Sequence, residues 1–299
     1  MKLIDLIHAQ SARLFDAGVS FGHGTTNAFD EAAWLVLWCL KMPWEALEQE
    51  AQTKVAPEAL AQVEALVTLR IESRKPTAYL TQEAWLQNVP FYVDERTIVP
   101  RSFIAELLVD GEGEGTLDAW LSDQTQRALD LCTGNASLAV IAAMAFPDIQ
   151  VDATDISPDA LAVAHINVEK HKMQARIRLL QSDLFAQVQG PYDVILCNPP
   201  YVNQHSMAKL PPEYRAEPEL ALAGGADGLD LVRRIIQDAP QYLSDIGVLV
   251  LEIGNERPHF ERAFKKLEVA WLETSAGSDQ VLVVTREALL KWAARQTSR

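Results

Sequence analysis

Apolar residues recur at helical spacing through the first 75 positions. Leu3, Ile4, Leu6, Ile7, Leu14 and Phe15 predict a helix over 3–17, which Gly18, Gly22 and Gly24 interrupt. Asn27 and Asp30 lead into a second helix over about 28–41 that stops at Pro43. A third runs from Pro57 to Arg74, with Leu60, Val63, Leu66, Val67 and Ile71 on one face. Between Pro76 and Pro100 the texture turns aromatic and β-branched, which predicts a hairpin with its turn at Asp94-Glu95. A short helix over about 103–109 and an acidic, glycine-rich surface loop from Gly111 to Gly115 follow.

From Arg127 the pattern alternates strand and helix. Strands are predicted at Ala128 to Leu131, Val151 to Thr154, Ile177 to Leu180, Val194 to Cys197 and Val248 to Ile253. Helices fall at Ser137 to Ala145, Pro158 to Lys170, about 228–242 and 258–267. Short strands separated by such helices mean βαβ units and a mainly parallel sheet. Val269 to Leu272 and Val281 to Val284 have no helix between them and predict an antiparallel pair at the sheet edge. The organisation expected is a helical domain over 1–75, a hairpin linker over 76–100 and an α/β domain over 101–299.

Composition adds bounds. The chain has 299 residues, 48% of them hydrophobic, and a net charge of −15, the wrong sign for coating a nucleic acid. Cys39, Cys132 and Cys197 are too few and too scattered for a disulfide framework or a zinc site. The start lacks the pattern of a signal peptide. The longest apolar stretch, Ala32 to Leu40, is too short to span a bilayer. The expected compartment is the cytoplasm, with no membrane partner.

The chemistry gathers at the carboxyl ends of the predicted strands, where open α/β sheets hold their ligands. Asp130-Leu131-Cys132-Thr133-Gly134-Asn135 ends the first strand and opens onto a helix N-terminus. Asp155-Ile156 ends the second, where an acid can take two ribose hydroxyls; before Ser157-Pro158 it can equally be a helix cap. Asp183-Leu184 ends the third, where the acid suits an adenine amine or a turn. Asn198-Pro199-Pro200-Tyr201 ends the fourth. Neither proline can donate to a ladder, so the strand stops there. The Asn198 amide oxygen and the Pro199 carbonyl then become two acceptors for one planar NH2 group, and Tyr201 a flat face to stack on it. Taken alone, Asn-Pro-Pro is also an ordinary turn. No Walker loop or dinucleotide fingerprint is present. An adenosine ligand without pyrophosphate beside an amine-holding site points to S-adenosylmethionine. Arg101 reads either as a substrate or cofactor clamp or as a salt-bridged cap. His23, between glycines, reads as a turn residue.

Val99-Pro100-Arg101-Ser102, Asp130 to Gly134, Asp155 to Ala160, Asn198 to Tyr201 and the run from Glu213 to Asp230 resemble the protein-glutamine methyltransferases. Cys132 and the Pro-Arg-Ser triplet resemble the branch that modifies the third large-subunit ribosomal protein. The resemblance implies a class I methyltransferase fold with a seven-stranded mixed sheet and an antiparallel edge strand. It implies a helical N-terminal domain for substrate choice and transfer to a glutamine amide nitrogen held by Asn198 and Pro199, with Tyr201 packed against it. Gly134, Asp155 and Asp183 are then cofactor contacts, and Arg101 and Glu106 order the pocket. Release factors are the alternative substrate; adenine-N6 methylation of nucleic acid and a non-catalytic role in ribosome assembly are the rival readings. One departure concerns Ala136, which stands where the family has a second glycine. If φ is positive there, the alanine costs on the order of 1 kcal/mol, unless Asn135 takes the left-handed conformation instead.

Overall fold

A computed structural model describes residues 1–109, 117–121 and 125–297; the Gly111 to Gly115 loop lies outside the described residues. The amino-terminal layer packs α1 (Leu3–Asp16), α2 (Ala28–Leu40), the short α3 (Ala46–Gln49) and α4 (Pro57–Ser73). The Asn27 side chain caps α2 by accepting from the Asp30 amide at 2.9 Å, and Pro57 opens α4 with its preset φ. Leu6, Ile7 and Leu14 of α1 are buried against Ala32, Leu35 and Val36 of α2 and Val63 and Val67 of α4.

Two expectations for the 76–100 stretch need correction. It begins with a helix, α5 (Thr77–Thr81), and the hairpin of β1 (Ala84–Leu86) and β2 (Val89–Phe91) turns at Gln87-Asn88. Both turn residues have positive φ, 47° and 60°, matching the twist of a two-residue hairpin. Asp94-Glu95 does turn, the Thr97 amide donating to the Asp94 carbonyl at 3.1 Å, but this turn follows the hairpin instead of joining its strands, and the Asp94 carboxylate accepts from the Tyr92 and Arg96 side chains.

After α6 (Ile104–Val109) come β3 (Arg127–Leu131), α7 (Ser137–Ala145), β4 (Gln150–Asp155), α8 (Pro158–Lys170), β5 (Ile177–Gln181) and β6 (Tyr192–Cys197). The short α9 (Gln204–Met207), then α10 (Asp230–Asp238), β7 (Leu243–Glu252), α11 (Arg257–Ala263), β8 (Ala270–Thr274), β9 (Gly277–Thr285) and α12 (Arg286–Thr297) complete the chain. The terminal helix α12 carried no expectation. The strand order is β5-β4-β3-β6-β7-β9-β8, parallel up to β7, with β9 and β8 antiparallel at the edge, as expected. Alternate residues serve opposite faces. Val194 and Leu196 join the core beneath α6, α7 and α8, whereas Ile195 and Cys197 join the one beneath α10 and Phe260 of α11. The order reverses between β3 and β6, which opens a crevice at their carboxyl ends. No helix among the described residues is long and apolar enough to cross a membrane.

Candidate active site

The register that pairs Leu131 with Cys197 sets Cys132 beside Asn198 across the crevice. Of the residues predicted for the site, Arg101, Cys132, Thr133, Gly134, Asn135, Asp155, Ile156, Asp183, Leu184, Asn198 and Pro200 line one cavity there. Asp130, Pro199 and Tyr201 are not among its lining residues.

Asp130 points inward. Its Oδ2 accepts from the Thr133 hydroxyl and from the Ala139 amide at 3.1 Å, so it ties the loop to the first turn of α7. Burial pushes its carboxyl up to about 7, against those two hydrogen bonds, which pull it down. The loop bends through three left-handed residues, Cys132, Gly134 and Ala136, at φ of 63°, 56° and 64°. Ala136 therefore carries the conformational cost foreseen for it, while Asn135 is not left-handed. Asn135 contributes differently, its side-chain oxygen accepting from the Ser137 amide at 3.2 Å. A Cβ built on Gly134 would meet nothing within 4 Å, so the backbone here lies open for close approach.

Asp155 accepts the Gly134 amide on one oxygen and the Ser157 amide on the other, both at 2.9 Å. It therefore positions the glycine loop, and each oxygen keeps a lone pair for a hydroxyl donor. The helix cap of α8 is Ser157, not Asp155, since the Ser157 hydroxyl accepts from the Ala160 amide. Asp183 faces Arg234, whose Nη2 lies 2.9 Å from both of its oxygens, and both residues line the cavity. Apolar Ile156 and Leu184 line the same wall and suit the faces of a planar base.

Among the described residues the side-chain amide of Asn198 has no hydrogen-bond partner, although it lines the cavity. Pro199 and Pro200 are buried beside it. Tyr201 is turned away to donate to Glu252 Oε1 at 3.1 Å. Its ring lies against Gly254, where a Cβ would come within 3 Å of it and where φ is +53°. Glu252 ends β7 fully buried, its Oε2 accepting from the Ser102 hydroxyl at 2.7 Å and the Phe103 amide at 2.9 Å; burial raises its carboxyl. Asn198 thus stands in front of a rigid buried network.

Arg101 also lines the cavity, but its guanidinium is committed to Glu217. Nη1 and Nη2 reach the two carboxylate oxygens at 2.6 and 2.7 Å. Glu217 accepts the Val99 amide at 2.9 Å as well, and His23 Nε2 approaches it at 3.6 Å. Burial alone would raise this carboxyl, but Arg101 and His23 outweigh it and hold it at about 2. Glu106, expected to order the pocket, instead bonds the amide and hydroxyl of Ser275 in the turn between β8 and β9.

Sequence reasoning overlooked Glu217, Arg234 and Glu252 as site residues. Glu252 had a signal, an acid at the end of an apolar strand, the same cue that marks Asp155. Arg234 had none, being half-exposed on α10 and 51 positions from its partner.

Comparison with known proteins bears on what such a site does. The family model described as "Methyltransferase small domain" matches residues 112–210. A protein named "Ribosomal protein uL3 glutamine methyltransferase" from Bordetella pertussis is 54% identical over 290 residues, covering 96% of each chain. Proteins of the same name from Neisseria meningitidis serogroup B and Bradyrhizobium diazoefficiens are 47% and 44% identical. Those alignments cover 96% and 94% of this chain, and 93% and 89% of theirs. Among solved structures, the hMettl16 catalytic domain in complex with MAT2A 3'UTR hairpin 6 is 15% identical with a TM-score of 0.49, over 76% of this chain and 81% of that one. That likeness is too loose to carry an argument.

Proposed function

The chain belongs to the family of ribosomal protein uL3 glutamine methyltransferases, and we propose that it methylates the side-chain amide nitrogen of a glutamine in that ribosomal protein. The observation that carries the reading is the Asn198 amide, unpartnered among the described residues and set beside the Cys132 to Asn135 loop. S-adenosylmethionine supplies an electrophilic methyl group when bound. The residues present fit it. The open backbone at Gly134 admits close approach, the free lone pairs of Asp155 suit two ribose hydroxyls, and Ile156 and Leu184 suit the faces of adenine. Asp183, steadied by Arg234, is the acceptor for the adenine amine.

An amide nitrogen is a poor nucleophile because its lone pair is delocalised into the carbonyl. Asn198 Oδ1, accepting from one N–H, fixes the nitrogen's orientation and favours charge building there. The Pro199 carbonyl, on the residue buried directly after Asn198, is the second acceptor in this reading. Tyr201 acts from behind, bracing the Pro-Pro turn against Glu252 and Gly254. No strong general base is required if the amide proton leaves after transfer. Residues 1–75 are assigned to substrate recognition, 76–100 to the linker and 101–299 to catalysis. The reading places the enzyme in the cytoplasm and includes no specific DNA binding.

The test is methyl transfer from labelled S-adenosylmethionine to uL3, a class-one release factor and DNA, supplied separately. Label on a uL3 glutamine is expected; label on the release factor or DNA instead overturns the substrate. Asn198→Ala should lower kcat by about a hundredfold or more with cofactor affinity within severalfold of wild type. Loss of cofactor binding together with activity would refute the role given to Asn198.

A further inference from the structure

A groove of about 1200 Å³ lies in the amino-terminal layer, between α2, residues 42–45 and the β1–β2 hairpin. Four indoles line it: Trp34, Trp38, Trp44 and Trp85. Three are exposed, Trp38 by 41% and Trp44 and Trp85 by 52% each. Indoles grouped on a surface mark a recognition site more often than a packing accident, and tryptophan is enriched among the residues that carry binding energy. The Trp85 ring is fixed by its Nε1, which donates to Glu83 Oε1 at 2.9 Å. Gly24 forms part of the wall because a Cβ there, at φ +103°, would press to 3.2 Å from the Trp34 ring.

Charge identifies the occupant. Among the described residues, Asp30, Glu45 and Glu83 line the groove against the single cation Lys41, on a chain of net charge −15. Aromatic faces rimmed by carboxylates suit guanidinium and ammonium groups and repel phosphates. The groove is also linked to the site by a chain of hydrogen bonds. Its wall residue Thr25 donates to Glu31, Glu31 accepts from Arg70, and Arg70 reaches Glu213 on the segment that carries Glu217. That segment lines the cofactor cavity through Pro218, Leu220 and Ala221. We propose that this groove docks a lysine- and arginine-rich segment of the protein substrate, apart from the glutamine that enters the cavity. The proposal rests on the protein-substrate reading above.

The test uses the full chain with purified, fluorescently labelled uL3. Anisotropy gives affinity, and methyl transfer gives KM and kcat. Trp38→Ala with Trp44→Ala should raise both Kd and KM roughly tenfold at unchanged kcat, and Phe at both positions should recover most of the loss. Glu45→Lys, on an exposed position that burdens folding little, should raise KM severalfold and flatten its rise with salt. Wild-type Kd and KM in both variants would overturn the groove while leaving the proposed reaction intact. Binding of uL3 lost in the tryptophan variant, with no methylation even by wild type, would support the groove and overturn the reaction instead. Wild-type protein that neither binds nor methylates uL3 would overturn both.

Discussion

Replacing Glu217 by Gln keeps the shape of the side chain and removes the charge opposite Arg101. The folded carboxyl sits at about 2, against an ordinary 4.5. At 1.36 kcal/mol per pH unit that difference is about 3 kcal/mol. Glu217 has no solvent-exposed side-chain surface, so there is little screening to discount, and losing one partner of a buried ion pair falls in the same range. Because the folded value is depressed, this stability is present in full above pH 4.5 and is lost as pH falls toward 2. By pH 3 wild type has forfeited about 2 kcal/mol that the Gln variant never had. Thermal melts of the two proteins should therefore differ by roughly 6 °C at pH 7 and by roughly 2 °C at pH 3, at about 2 °C per kcal/mol for a chain of this length. A second substitution, Arg101→Met, should return part of the loss at pH 7, since it removes the charge left unpaired. A gap of equal size at both pH values would refute the reasoning: the cost would then be one of packing, and Glu217 would not be holding Arg101 by charge.

Asp130 should act in the opposite sense. Its folded value of about 7 is raised from 3.8, so its contribution is present below 3.8 and lost as pH rises through 7. Urea unfolding should show wild type about 2 kcal/mol more stable at pH 5.5 than at pH 8 on this account, and Asp130→Asn should lose that slope. An unchanged slope would move the titration to another group. Ala136→Gly removes about 1–2 kcal/mol of left-handed strain. It also gives up about 0.8 kcal/mol of methyl burial and adds about 0.4–1 kcal/mol of unfolded-chain entropy. These terms nearly cancel, so calorimetry should find a melting shift below about 3 °C, and a cofactor titration an affinity within about fivefold. A larger rise in either would mean that the loop carries uncompensated strain.

What the chain revealed before folding depended on how local each cause is. Pro199-Pro200 ends β6 by chemistry contained in two residues, so Asn198 could be placed at a strand end directly. Asp155 follows the same logic, with Ser157-Pro158 marking the next helix. Asp130 was harder. Its position after an apolar strand was plain, but whether its carboxyl faces the crevice or the first turn of α7 is decided by the Ala139 amide nine positions on. The turn at Gln87-Asn88 hid for a related reason. Asp94-Glu95 has the commoner turn composition and does form a turn, the Thr97 amide donating to the Asp94 carbonyl, but that turn lies beyond β2. Arg101 could be read two ways because its partner lies 116 positions away, and only the tertiary fold brings Glu217 to both of its nitrogens. Glu106 went wrong through the same gap, its partner Ser275 being 169 positions distant.

The residues beyond reach of the sequence are mostly those joining the two ends of the molecule. Glu213, wholly buried, accepts from the Ser20 amide at 3.0 Å and forms an ion pair with Arg74, whose Nε lies 2.8 Å away. Four positions on, Glu217 takes Arg101 and faces His23. Just beyond these anchors the same short stretch supplies Pro218, Leu220 and Ala221 to the cavity wall. Two buried carboxylates thus seat a cavity-lining segment in the helical layer that bears the tryptophan groove. A displacement of that layer would have to break charge-assisted bonds to two carboxylates that are themselves fully buried. The groove and the cavity are therefore held as one frame, so the span between a docked segment and its target glutamine is set by the substrate.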